Sequence, residues 1–142
     1  MRAALAALAL AALAFARPAE AGTALGLGAD WLTDPKAGEL QLTLAADTAL
    51  ARRVTLGARF GMMYVADGDR VGAPIDGRLR IRGNRLYAEG LVGPWLVFGS
   101  GDTLRLHAAF GFGLYTRSLT FGFEVGWLDP TPIVGVRVAF PL

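Results

Sequence analysis

From Thr103 to Ser118 the chain reads TLRLHAAFGFGLYTRS, with Leu104, Leu106, Ala108, Phe110, Phe112 and Leu114 on one alternating set of positions. Arg105, His107, Ala109, Gly111, Gly113 and Tyr115 occupy the other. A repeat of two places successive side chains on opposite faces of a β-strand. The pattern recurs: Val54, Leu56, Ala58, Phe60, Met62 and Tyr64 oppose Arg53, Thr55, Gly57, Arg59 and Gly61. Leu119, Phe121, Phe123, Val125 and Trp127 oppose Thr120, Gly122, Glu124 and Gly126, and Val134, Val136, Val138, Phe140 and Leu142 oppose Gly135, Arg137 and Ala139. Turn residues divide the chain into eight predicted strands: 23–32, 39–47, 53–65, 75–82, 85–98, 103–116, 119–127 and 133–142. At roughly ten residues each, they have the length that a strand tilted near 45° needs to cross a bilayer.

The second face decides which way the barrel is turned. A face meeting water along antiparallel strands carries Lys, Glu, Thr and Gln, and glycine there only weakens the strand. Here it carries Gly beside Arg, Glu and Tyr. An eight-stranded barrel has an interior just wide enough to be filled by side chains, so a long arginine must lie across a residue that has none. Gly57, Gly61, Gly111, Gly113, Gly122, Gly126 and Gly135 are expected to make that room. The reading is an all-β, antiparallel, up-and-down transmembrane barrel with leucine and phenylalanine outward and arginine and histidine inward. The inverted assignment would describe a soluble periplasmic barrel holding an apolar ligand.

The start of the chain sharpens the location. MRAALAALALAALAFARPAEA has an early charge at Arg2, an apolar run from Ala3 to Phe15 that is too short to span a bilayer, and Ala19-Glu20-Ala21 as a small-x-small cleavage site. Residues 1–21 are expected to be a signal peptide and 22–142 the barrel domain. Gly22 in place of Cys excludes a lipoprotein anchor. Cysteine is absent and histidine occurs once, so no disulfide, thiolate or His-rich metal site is expected, and no cofactor. Without Arg2, Arg17 and Glu20 the chain carries 12 basic and 11 acidic residues, which gives no reason to expect nucleic acid as a partner.

With both termini in the periplasm, the turns on that side are TALAR, GN and Arg117-Ser118, and the outer loops are TDPKAG, ADGDRVGAP, GSGD and LDPTP. Trp31, Tyr64 and Trp127 then fall on the outer-loop side, where an aromatic girdle belongs. In its signal peptide, eight alternating strands and C-terminal apolar series ending at Phe140 and Leu142, the chain resembles the small outer-membrane β-barrels of Gram-negative bacteria of the OmpA-transmembrane and OmpX type. The resemblance implies an outer-membrane location, lipid as the surrounding partner, and the barrel-assembly machinery as a partner during insertion. Members of that family commonly end in Phe, whereas this chain ends Phe140-Pro141-Leu142 and keeps the outward apolar slot with Leu142.

The interior chemistry is ionic. Gly83-Asn84 is a two-residue hairpin signal, and pairing Arg82 with Arg85 across it sets Arg80 opposite Tyr87 and Arg78 opposite Glu89, predicting an Arg78–Glu89 ion pair. Unpaired charge in a dry interior is costly, so Asp30, Arg59, Arg80, Arg105, Glu124 and Arg137 are expected to share a network with that pair. One outcome is a solid polar plug; the other is a narrow anion-selective passage. His107 is expected to be an inward structural histidine. Lipid A deacylases on such barrels use a His-x-Ser pair, and the matching stretch here, His107-Ala108-Ala109, has no nucleophile, so no catalytic activity is expected. Asp67, Asp69 and Asp76 lie in the second outer loop without the spaced carboxylates of an EF-hand, which favours a solvated loop over a calcium site. Pro94 has no N–H to give a closed ladder, so Gly93-Pro94 is expected to mark a bulge.

Overall fold

The computed structural model of the chain describes residues 22–34, 36–99, 101 and 103–142; the expected signal peptide, 1–21, lies outside them. Eight strands follow in chain order: β1 (Gly22–Thr33), β2 (Lys36–Ala51), β3 (Val54–Val65), β4 (Arg70–Arg82), β5 (Leu86–Val97), β6 (Leu104–Tyr115), β7 (Thr120–Leu128) and β8 (Thr131–Pro141). Each pairs antiparallel with the next, and β8 returns to β1, so the sheet closes into a barrel. Closure removes every unpaired sheet edge.

The register fixes the shape. Stepping between Cα partners from Gly22 through Asp47, Gly57, Arg78, Leu91, Ala109, Gly126 and Ile133 returns to β1 at Leu32, ten residues beyond the start. A shear of that size on eight strands requires a tilt of about 35–45° and leaves an interior that side chains can fill. The tilt also lengthens strands. β2 begins at Lys36 and β4 at Arg70, so most of the expected loops TDPKAG and ADGDRVGAP is strand, and the β3–β4 connection shrinks to a tight turn where Gly68 (φ 76°) and Asp69 (φ 48°) take the left-handed conformation.

Outward positions along every strand are apolar or small, among them Leu27, Leu42, Phe60, Leu79, Val92, Phe110, Phe123 and Val136. Trp31, Tyr64 and Trp127 also point outward. The inverted arrangement, with the apolar face inside, is not the one adopted.

Two local expectations are corrected. The β4–β5 turn is Asn84-Arg85, not Gly83-Asn84: the Gly83 N–H donates to the Leu86 carbonyl at 2.7 Å, and Arg82 pairs with Tyr87. Moving the turn tip one residue along, to Asn84-Arg85, shifts the β5 partner of every β4 residue by two places and so keeps each side chain on its face. At Gly93-Pro94 there is no bulge. Pro94 faces outward opposite Leu106, and the β4–β5 and β5–β6 registers run unbroken past it. The missing N–H leaves a gap in the β4–β5 ladder beside Ile75 and Asp76, so the strand continues at the cost of hydrogen bonds and not of register.

The inward glycines divide into two groups. A Cβ on Gly111 would strike Glu89 at 2.9 Å, and on Gly28 it would strike Arg137 at 2.8 Å, so these make room for long side chains. A Cβ on Gly61 or Gly113 would instead meet a neighbouring backbone carbonyl, that of Leu42 at 2.0 Å or of Phe121 at 2.1 Å, so these let adjacent strands approach. Gly113→Ala is expected to lower stability by about 1–3 kcal/mol, as overpacking against backbone does. Outward Gly90→Ala, where a Cβ meets nothing within 4 Å, is expected to leave it unchanged; urea unfolding of the refolded barrel measures both.

Candidate functional site: a three-tier barrel interior

Alternation sends one side chain in two into the lumen, and their order along the strands stacks three tiers. The mouth that carries the chain ends and the turns at 52–53, 83–85 and 116–119 is called here the terminus side, and the opposite mouth the loop side. The tier under the loop-side mouth is apolar: Leu32, Ala37, Met63, Val65, Trp95, Val97, Leu128 and Ile133 form one buried cluster. The pattern along the chain does not reveal it, because runs such as Met62-Met63-Tyr64-Val65 are apolar on both faces.

The middle tier is an ionic chain. Arg59 on β3 forms a two-pronged pair with Glu124 on β7, at 2.8 and 3.1 Å, and reaches Asp76 on β4 at 2.8 Å. Arg137 on β8 bridges Glu124 at 3.2 Å and Asp30 on β1, which accepts from it at 2.6 and 2.8 Å. Gln41 donates to Asp30 and to Glu39, each at 2.7 Å. Asp76 also accepts the Trp95 indole N–H at 3.0 Å and lies 2.7 Å from His107 Nδ1, while the imidazole stacks on Trp95 with ring centres 4.1 Å apart. His107 is 0 % exposed, and its Nε2 lies 3.7 Å from Glu124 Oε1. The ring thus sits between two carboxylates, and among the described residues no hydroxyl is bonded to it, an arrangement that orients an imidazole.

The tier near the terminus side holds Arg78, bonded to Asp47 through two nitrogens, and Arg80, bonded to Glu89 at 2.7 Å and lying over the Tyr87 ring at 4.3 Å. The expected Arg78–Glu89 pair is corrected by the two-place register change: Glu89 stands directly opposite Arg80, and Arg78 only touches it at 3.9 Å. Asp30, Arg59, Glu124, Arg137, Arg80, Glu89, Arg78 and His107 do meet in the lumen. Arg105 does not join them; it makes no ion pair among the described residues. Glu39, Gln41, Asp47 and Asp76 were missed as interior groups. Asp76, expected in the second outer loop, lies inside because β4 begins six residues earlier, whereas at the turn Asp69 accepts the Tyr64 hydroxyl and Asp67 faces Arg70 at 3.8 Å. Those three aspartates do not converge on a calcium site.

No family model and no curated protein matches the chain. Solved structures do. The barrel is similar to a chain described as "De novo design of transmembrane beta-barrels", with a TM-score of 0.67 and 14 % identity over 85 % of this chain and 95 % of that one. It is also similar to the solution NMR structure of the de novo designed TMB2.3, with a TM-score of 0.56 and 15 % identity over 89 % of this chain and 98 % of that one. At that identity the likeness is one of fold: eight antiparallel strands closed as in designed transmembrane barrels.

Two measurements test the ionic tiers. Glu124→Gln removes the carboxylate that both Arg59 and Arg137 bind, and is expected to cost about 3–5 kcal/mol in urea unfolding, as breaking a buried ion pair does. Double-mutant cycles should give a larger coupling for Arg80 with Glu89 than for Arg78 with Glu89; the reverse order would restore the Gly83-Asn84 turn.

Proposed function

We propose that this chain is an integral outer-membrane β-barrel with a structural or interaction role, surrounded by lipid, inserted with the barrel-assembly machinery, and closed to solutes. One observation carries the reading. The ionic middle tier, in which Arg59 and Arg137 are each bound by two carboxylates, is capped on the loop side by a buried apolar cluster that includes Trp95, Leu128 and Ile133. Below that cap the lumen holds a void of about 30 Å³ among Arg59, Arg78, Arg80, Glu89 and Arg137, space for one or two waters. An ion crossing the barrel would shed its hydration in an apolar layer and displace paired side chains, and both steps are costly.

The outer membrane, rather than another bilayer, is supported by the signal-peptide pattern at the N-terminus and the predominantly apolar outer wall of a closed barrel. A non-enzymatic role is supported by His107, the chain's one histidine, being enclosed without a nucleophile. A small anion-selective pore is the competing reading.

Membrane separation of expressing Gram-negative cells should recover the protein with the outer membrane and show a mobility shift between unboiled and boiled samples on a denaturing gel. In a planar bilayer the refolded protein should give no steady single-channel openings. Steady openings that grow when Arg78 and Glu89 are both truncated would establish the pore, and recovery in the soluble periplasmic fraction would remove the membrane reading.

A further inference from the structure

The terminus-side mouth is open where the loop-side interior is capped. Between the chain ends and the turns lies a cavity of about 330 Å³ lined by Arg78, Arg80, Arg82, Arg117, Asp47 and Thr120, with Tyr115 and Thr116 also on its wall. That is far more than the 10–15 Å³ or so that one water requires.

Four guanidinium groups face one carboxylate in this cavity, and the carboxylate is occupied. Asp47 is bound by Arg78, and Arg80 is bound by Glu89 just above. Arg82 and Arg117 have no carboxylate partner among the described residues. Arg82 is held in place all the same: its guanidinium lies over the Tyr115 ring at 5.6 Å, and the Tyr115 hydroxyl donates to the Gly83 carbonyl at 2.5 Å, tying the β6–β7 turn to the β4–β5 turn. A guanidinium held at cation–π distance from a ring, with no carboxylate partner among the described residues, keeps N–H groups for a ligand, and a guanidinium can take an oxyanion through two parallel hydrogen bonds. Passage deeper is closed, because the cavity narrows to the 30 Å³ void among paired arginines.

We infer that this vestibule is an anion-binding site that takes a phosphate group, with Arg82 and Arg117 as its two donors and Arg78 supplying background positive potential. A phosphate could come from a phospholipid headgroup at the level of the turns or from free phosphate in solution. Only the first source rests on the membrane reading proposed above.

The test uses protein extracted from membranes of the expressing cell into a phosphate-free maltoside detergent, with the arginine side-chain Nε–H signals followed by NMR. Inorganic phosphate is titrated at constant ionic strength against chloride, and phosphatidylglycerol is added in a separate series. The expected result is saturable shifts at Arg82 and Arg117, with the turn arginines Arg52, Arg53 and Arg85 moving only as they do in chloride. Arg117→Gln, on an exposed turn and outside the ionic tiers, should weaken the binding read at Arg82 and at the Thr120 amide by about tenfold or more, and the gel mobility shift checks that this variant is still folded. Saturation by inorganic phosphate supports the site with a free anion as ligand, and saturation by phosphatidylglycerol alone supports it with the headgroup as ligand. No saturable shift with either, or shifts equal to those at Arg52, Arg53 and Arg85, overturns the proposal whether or not the barrel proves to be membrane-embedded.

Discussion

The Arg59–Glu124 pair spans the lumen between β3 and β7, strands that lie opposite each other in the closed sheet. Backbone hydrogen bonds join only neighbouring strands, so a cross-lumen ion pair is the contact that makes opposite walls one unit. Every other ionic contact of the middle tier hangs from it: Arg137 reaches Asp30 from the Glu124 end, and Asp76 reaches His107 and Trp95 from the Arg59 end. Taking such charges out of water is costly, and they are tolerated because Asp30, Asp76 and Glu124 each meet at least two donors. The glycines are the counterpart of this arrangement. Without bare backbone at Gly28 and Gly111, the arginine and glutamate side chains that complete the network would not fit across so narrow a lumen.

The barrel reverses the usual relation between core and surface. Its outside is predominantly apolar, so those side chains are not buried within the protein, and what stabilises the folded chain internally is hydrogen-bonded charge plus the small apolar cap. That cap and the ionic tiers have different uses. The ionic chain couples strands; the cap shuts one mouth. The terminus side has neither function and collects positive charge, because its turns carry Arg52, Arg53, Arg85 and Arg117 while the loop side carries Asp34, Asp67, Asp69 and Asp129.

Strand number, inside–outside assignment and most of the interior charges were legible in the sequence because alternation with period two is preserved along β6 and along most of β3, β7 and β8. Where one signal served two registers, the sequence misled. Gly83-Asn84 and Asn84-Arg85 are both acceptable two-residue turns, and only the packing of Arg80 against Glu89 and Tyr87 selects the second. Asp76 was hidden because Gly72, Ala73 and Pro74 resemble loop residues until the tilt of the closed sheet draws them into β4. The apolar cap was hidden for the opposite reason: Met63, Val65 and Val97 sit among outward apolar neighbours, so alternation is erased just where the interior changes character. Pro94 produces no bulge because one missing ladder hydrogen bond is tolerated where the registers with β4 and β6 on either side of it hold the strand in line.

Closing this barrel is also a problem of drainage. The charges of the middle tier are enclosed once the sheet has closed, so the water around them has to leave as it does. Among the described residues Trp95, Leu128 and Ile133 fill the loop-side mouth, and the wider opening lies beyond Arg78 and Arg80 toward the chain ends. The enclosed ion pairs are thus screened from water on the loop side by an apolar layer and on the other side by paired arginines.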